Sequence, residues 1–267
     1  MSSQTEIYSD YKELNEEQLK GVKDLIFKMA DDELILGHRN SEWTGLGPIL
    51  EEDIAFSSMA QDKLGQAQAL YLLLNQMDEK DPDTLAFTRN ENEYKCCHFV
   101  EYPIGEYDFS LMRHFLFDAA EALRYNSLIN SSFAPLANLA KKFRGEIRYH
   151  TLHSEVWIDQ LSKATEESKA RMQTSLNECM PLALGIFEPS EYDELLMNSG
   201  VFTGEENLKS GWYEHIQFVL QNAGLKVPEL SEIIPSFGGR KGYHTEYLKP
   251  LLDEMCEVYR IDPEAEW

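Results

Sequence analysis

Four long stretches of this sequence repeat apolar residues at intervals of three and four, and each stripe is broken by charged or amide side chains. That combination restricts the fold more than any other feature. Spacing of i, i+3, i+4 marks an amphipathic helix. Burying an ionisable group alone is costly, so each interruption must pair, hydrogen-bond or hold a metal. In the first stretch Asn15 precedes Glu16, Glu17 and Gln18, a good N-cap with acids in the first turn. Its face then runs Val22, Ile26, Met29, Ala30, Glu33 and Gly37, to about Arg39. A Gly-Pro turn, Gly45 to Pro48, leads into a second helix from about Ile49 to Met77, with Glu52, Phe56, Met59, Ala60, Lys63, Gln66, Ala67, Leu70 and Leu74 on one face. The third, roughly Asp108 to Asn130, carries Leu111, His114, Phe115, Asp118, Ala122, Tyr125 and Ile129. The fourth, about Leu136 to Leu161, carries Leu136, Leu139, Ala140, Phe143, Ile147, His150, Ser154, Trp157 and Leu161.

The acidic run Asp78 to Asp83 ends the second helix, and residues 79–107 read as irregular with two short helices around Leu85 and Asn92. Three more helical patterns lie near Thr165 to Phe187, Glu205 to Asn222 and Thr245 to Arg260, separated by Gly200, Gly204, Gly224 and the Pro228 to Gly242 region. Strand alternation is weak throughout. The expected fold is all-α, a four-helix bundle over about residues 15–162 with additional C-terminal helices over about 165–260, in one domain spanning 1–267.

Composition narrows the setting. Of 267 residues, 43% are hydrophobic and 27% charged, the balance of a globular chain rather than a disordered one. No apolar run reaches membrane-span length. The N-terminal MSSQTEIYSDYKEL is polar and acidic, unlike a secretory signal, so the expected location is the cytoplasm. Cys96, Cys97, Cys179 and Cys256 show no CxxC spacing, which favours reduced thiols and argues against a structural zinc site. The formal charge of −23 disfavours nucleic acid and anionic membranes, and suits a solvated acidic surface or a partner with a basic face.

The interruptions Glu33, Lys63, Gln66, Asp118 and His150 span all four long helices. Inward polar groups on every helix are the pattern of ferritin-like di-iron bundles, which take one carboxylate from each of two helices and a Glu-x-x-His from each of the other two. Glu33 and Asp118 suit the lone-carboxylate positions. The Glu-x-x-His positions on the second helix hold Lys63 and Gln66, and those on the fourth hold Ile147 and His150. Glu146 lies about 100° round the helix from position 147 and reads as a flanking acid. Three of six ligand positions therefore keep metal-binding chemistry. Lys63 is expected to put an ammonium where a metal would sit, forming a buried Lys63–Glu33–Asp118 cluster with hydrogen bonds from His150 and Gln66. The expectation is a relict site of Glu33, Lys63, Gln66, Asp118, Ile147 and His150 with a structural role, no catalytic residues, no metal and no cofactor.

Asp31 to Tyr71, with Phe115 to Ala122 (FLFDAAEA), Gly145 to Ile158 (GEIRYHTLHSEVWI) and Gly238 to Met255 (GGRKGYHTEYLKPLLDEM), resembles the C-subunit family of the bacterial phenylacetyl-CoA 1,2-epoxidase complex. The similarity covers nearly the whole chain in order. The related catalytic A subunit has a helix-two motif like Asp-Glu-x-Gly-His, where this chain has Asp62, Lys63, Leu64, Gly65 and Gln66. Its helix-four motif is like Glu-Glu-x-x-His, where this chain has Glu146, Ile147, Arg148, Tyr149 and His150. The resemblance implies a non-catalytic partner that binds and orders the catalytic di-iron A subunit, with other epoxidase subunits and a reductase as indirect partners. The implied reaction of the whole complex is oxygen-dependent epoxidation of the phenylacetyl-CoA ring.

Other signals are weaker. His38, His98, His114, His153, His215 and His244 have no partner at metal spacing. Phe237 to Gly242 carries glycines, Arg240 and Lys241 that would suit a phosphate, but no strand precedes it, so an ordered loop or partner contact is the better reading. Trp212, Tyr213, Tyr243, Tyr247 and Trp267 fit either a helical interface or core packing. Two further functional readings stay open: an active metal oxygenase with a reduced ligand set, and a stand-alone acyl-CoA-binding or iron-handling protein. A second copy of the chain is a partner to consider when it is alone.

Overall fold

The computed structural model describes residues 7–262. Its helices are α1 (Glu16–Ser41), α2 (Leu50–Gln76), α3 (Pro82–Phe87), α4 (His98–Glu101), α5 (Tyr107–Leu128), α6 (Ala134–Ala164), α7 (Glu166–Leu184), α8 (Asp193–Asn198), α9 (Glu205–Asn222), α10 (Leu248–Met255) and α11 (Glu257–Ile261). The fold is all-α and ferritin-like, with further helices after the four long ones α1, α2, α5 and α6. No helix among the described residues is long and apolar enough to cross a membrane. Most of the N-terminal MSSQTEIYSDYKEL segment is described, but residues 1–6 and Trp267 lie outside the described residues.

Local chemistry sets the ends of the elements. Asn15 Oδ1 accepts from Gln18 N–H at 2.9 Å, and Gln18 Oε1 accepts from Asn15 N–H at 3.0 Å. This reciprocal cap satisfies two backbone donors and starts α1 where the sequence predicts. Asp81 caps α3 through Thr84 N–H at 2.9 Å, with Pro82 in the first turn where its missing N–H costs nothing. Thr165 ends α6 and caps α7. The helix expected from Thr245 to Arg260 is instead α10 and α11, and it starts later. Pro250 has no N–H to give and fits only a first turn, so α10 begins at Leu248. The short α4 has no counterpart in the periodicity.

The described chain divides into two compact units, each given by itself. The first comprises residues 7–24 and 104–236, and is built on α5, α6, α7 and α9. Trp212 of α9 is fully buried, and its Nε1–H donates to Leu116 O of α5 at 2.9 Å. Burying an indole removes about 200 Å² from water, roughly 5 kcal/mol at about 25 cal/mol per Å². Arg124 of α5 bonds Glu121 at 2.6 Å and Glu205, at the start of α9, at 2.8 Å, all out of solvent. Tyr8 is clipped to the segment before α6 by hydrogen bonds with Ser132 O and Ala134 N–H.

The second unit comprises residues 25–103 and 237–262. It holds α1 from Leu25 onward, α2, α3, α4, α10 and α11. From Lys28 to Gly37, α1 is buried at every position, so it has no wet face in this part. Gly239 and Gly242 let the loop before α10 close on residues 92–97. A Cβ on Gly239 would lie 2.2 Å from Cys96 O, and Gly242 has φ +78° with Asn92 O 2.3 Å from a Cβ position.

Candidate functional site

The six residues singled out by the sequence fall into two groups, one in each unit. Glu33 comes from α1, and Lys63 and Gln66 come from α2, in the second unit. Lys63 Nζ donates to Glu33 Oε2 at 3.1 Å, and both side chains are 1% exposed. Gln66, three residues beyond Lys63, lies on the same side of α2 and is buried. The α1–α2 pairing thus places an ammonium on the first-helix carboxylate.

Asp118 of α5 and Ile147 and His150 of α6 are buried in the first unit. Asp118 Oδ1 is 3.9 Å from His150 Nδ1, and Asp118 Oδ2 contacts His114 Nδ1 one turn back on α5. The His114 and His150 ring centroids are 6.0 Å apart, and those of His114 and His153 5.7 Å. Ile147 precedes His150 by one turn and offers only hydrocarbon there. Glu146 is half-buried beside it. Within its own unit the carboxylate of Asp118 therefore meets imidazoles.

His114, for which the sequence offers no partner at metal spacing, meets a carboxylate of its own helix. Its partner Asp118 stands four residues on, a spacing that shares a helix face without forming a Glu-x-x-His motif. Burial opposes a charge on His114 more strongly than the Asp118 carboxylate favours one, and its pKa is lowered from 6.5 to about 4. At neutral pH the ring that faces Asp118 is neutral. An unfolded chain protonates this histidine near 6.5, and the folded one only near 4, so the unfolded state binds more protons in between. Stability from this group is complete above pH 6.5 and falls as pH drops toward 4, by about 3 kcal/mol in all. Chemical denaturation of the wild type and of His114→Gln at about pH 7 and about pH 4.5 checks this, and the variant should lose much less stability across the interval.

Three buried networks in the second unit escaped the sequence reading. Asp31 accepts from Tyr71 Oη at 2.5 Å, from Lys95 N–H at 2.6 Å and from both terminal nitrogens of Arg89. Asp32 accepts from Cys97 N–H at 2.8 Å and from Arg240 at 2.7 Å. Arg240 also donates to the Lys95 and Lys28 carbonyls, so its guanidinium is spent inside the fold and is not offered to a phosphate. Glu101 accepts from Thr245 through N–H at 2.7 Å and Oγ1 at 2.6 Å, and faces His244 Nδ1 at 2.7 Å. His244 likewise has a partner that sequence spacing does not show, because it comes from a distant segment. The one signal for the first two networks was the acidic pair Asp31–Asp32 running on into Glu33 in α1.

Of the C-terminal aromatics, Trp212 is core, Tyr243 is exposed and Tyr247 packs on Tyr102 with centroids 4.9 Å apart. All four cysteines are free thiols and buried. On the outer side of α6, Tyr149, Leu152 and Val156 are 50%, 58% and 43% exposed. A neighbouring groove of about 380 Å³ is lined by Tyr125, Arg144, Ile147, Arg148 and Leu152 among others.

Known proteins share this sequence pattern over nearly its whole length. The family model described as "Phenylacetic acid catabolic protein" matches residues 2–267. The C subunit of the 1,2-phenylacetyl-CoA epoxidase of Escherichia coli (strain K12) is 32% identical over 241 residues, covering 90% of this chain and 96% of that protein.

Proposed function

The chain belongs to the phenylacetic acid catabolic protein family, and on that premise we propose that it is the non-catalytic subunit of a multicomponent phenylacetyl-CoA 1,2-epoxidase, where it binds and stabilises the catalytic di-iron subunit. Membership gives it a role in phenylacetate catabolism. The observation that carries the non-catalytic reading is the buried bond from Lys63 Nζ to Glu33 Oε2. A ligating carboxylate at that position would bring irons together, whereas an ammonium competes with any metal for the lone pairs of Glu33. Gln66 replaces an imidazole with a neutral amide, and Ile147 has no donor atom. This residue set does not fit a pair of irons, so no step of the reaction is assigned to this chain.

In this reading Glu33, Lys63, Gln66, Asp118, Ile147 and His150 are a relict metal site. Lys63 neutralises Glu33, and His114 and His150 hold Asp118. Residues 1–267 act as one ferritin-like domain in the cytoplasm, with the remaining epoxidase subunits and a reductase as indirect partners. The exposed Tyr149, Leu152 and Val156 on α6 support a protein-facing surface, because contiguous exposed apolar groups mark interaction sites. Co-expression with a catalytic di-iron subunit of the family tests the proposal. The two should co-purify in fixed ratio and epoxidise phenylacetyl-CoA when a reductase is supplied, while this chain alone should give no product. Separate elution of the two chains, or turnover by this chain alone, would overturn it.

One feature favours a second reading, an acyl-CoA-binding protein. The α5–α6 groove sets Arg144 and Arg148 beside an apolar wall, chemistry suited to a phosphate with an acyl chain. Calorimetry with phenylacetyl-CoA and the isolated chain separates the readings. Saturable binding lost in Arg144→Ala/Arg148→Ala supports the second, and no heat supports the first.

A further inference from the structure

His244 points both ring nitrogens at oxygen atoms. Nε2 lies 3.0 Å from the Tyr94 carbonyl, which can only accept, so Nε2 carries the hydrogen. Nδ1 then presents its lone pair to Glu101 Oε1 at 2.7 Å. The other carboxylate oxygen of Glu101 is already occupied by Thr245 N–H and Oγ1. Cys96 Sγ completes a triangle, 3.8 Å from Glu101 Oε1 and 3.9 Å from His244 Nδ1. Three electron-pair donors of different kinds thus converge within 4.8 Å of one another in a buried place. A proton between Glu101 and His244 would satisfy one edge of the triangle and leave the sulfur only a weak contact. A cation satisfies all three.

We propose that Cys96, Glu101 and His244 form a binding site for one zinc-type divalent cation, which ties α4 and the residues before it to the segment entering α10. Thiolate, imidazole and carboxylate together suit zinc and disfavour magnesium and calcium. Tetrahedral zinc with bonds of about 2.0–2.3 Å needs ligand–ligand edges of roughly 3.3–3.6 Å. The sulfur edges here are close to that, and the nitrogen–oxygen edge has to open by roughly 1 Å or less. The outer partners are those a zinc site uses: a carbonyl fixing the histidine tautomer, and hydrogen bonds orienting the carboxylate. Zinc displaces the Cys96 thiol proton as it binds. Affinity therefore rises with pH. Spacing along the sequence argues against such a site because the ligands are far apart in the chain, and only the fold joins residues 96 and 101 to 244.

Cobalt(II) titration of the full-length chain, stripped of metal with a chelator, is the test. The expected result is one cobalt per chain, with a near-ultraviolet thiolate-to-cobalt band and tetrahedral bands in the visible, all displaced by zinc. Cys96→Ser should abolish the thiolate band, and Cys97→Ser should keep it. His244→Asn, which retains the thiol, should weaken binding by about tenfold or more. No saturable thiolate band on the wild type overturns the proposal, whatever the variants do. So does a band that survives Cys96→Ser, or unchanged affinity in His244→Asn.

Discussion

Replacing Lys63 by methionine lowers the stability of this protein by about 3–5 kcal/mol, because removing one member of a buried ion pair leaves the other charge in a medium that solvates it poorly. Lys63 and Glu33 are each 1% exposed and joined at 3.1 Å, so water cannot replace the lost ammonium. The methionine chain fills much of the same volume, which keeps cavity formation out of the result. The sign of the second substitution separates electrostatics from packing. Adding Glu33→Gln to Lys63→Met should recover most of the loss, since removing both charges relieves the desolvation cost. Denaturant midpoints of the wild type, both single variants and the double variant read this directly. Additive losses in the double variant would show that the two residues are not coupled.

Asp31→Ala is expected to cost as much or more, again about 3–5 kcal/mol, because three different donors lose their acceptor together. Tyr71 Oη, the Lys95 N–H and the Arg89 guanidinium all meet this carboxylate. Arg89 also stacks over the Tyr94 ring at 4.0 Å and donates to Leu85 O, so one side chain links α1 to the segment between α3 and α4. Arg89→Lys in an otherwise wild-type chain should keep only part of this network's stabilisation, because a single ammonium cannot reproduce the fork. The exposed pair Lys163–Asp159 provides the contrast. Both partners are about half exposed, and Asp159→Asn should change stability by no more than about 0.5 kcal/mol. Urea unfolding of the three variants side by side checks the ranking.

The helices were legible where capping and periodicity agree. Asn15 before an acidic turn marks the start of α1, and α2, α5, α6, α7 and α9 lie within a few residues of their apolar patterns. The C-terminal pattern misled because periodicity ignores Pro250. Glu33, Lys63, Asp118 and His150 were legible as buried groups because each breaks an apolar stripe, and each is buried. Asp31 and Asp32 were not, because a stripe argument assumes that a helix has a wet side. Around them α1 is buried at every position, so acids off the apolar stripe also lie inside the protein. Their partners Arg89 and Arg240, like His244 opposite Glu101, come from irregular segments that carry no periodicity. Only the closure of the chain reveals such pairings.

Elemental analysis for iron on protein expressed in iron-rich medium, with Mössbauer spectroscopy of any iron found, tests the central claim most directly. That claim is that an ammonium has taken the metal's place beside Glu33, leaving a scaffold rather than a catalyst. The account predicts no iron above background in the wild type, with any zinc counted separately. Stoichiometric iron lost on substitution of Glu33, Asp118 or His150 would contradict it.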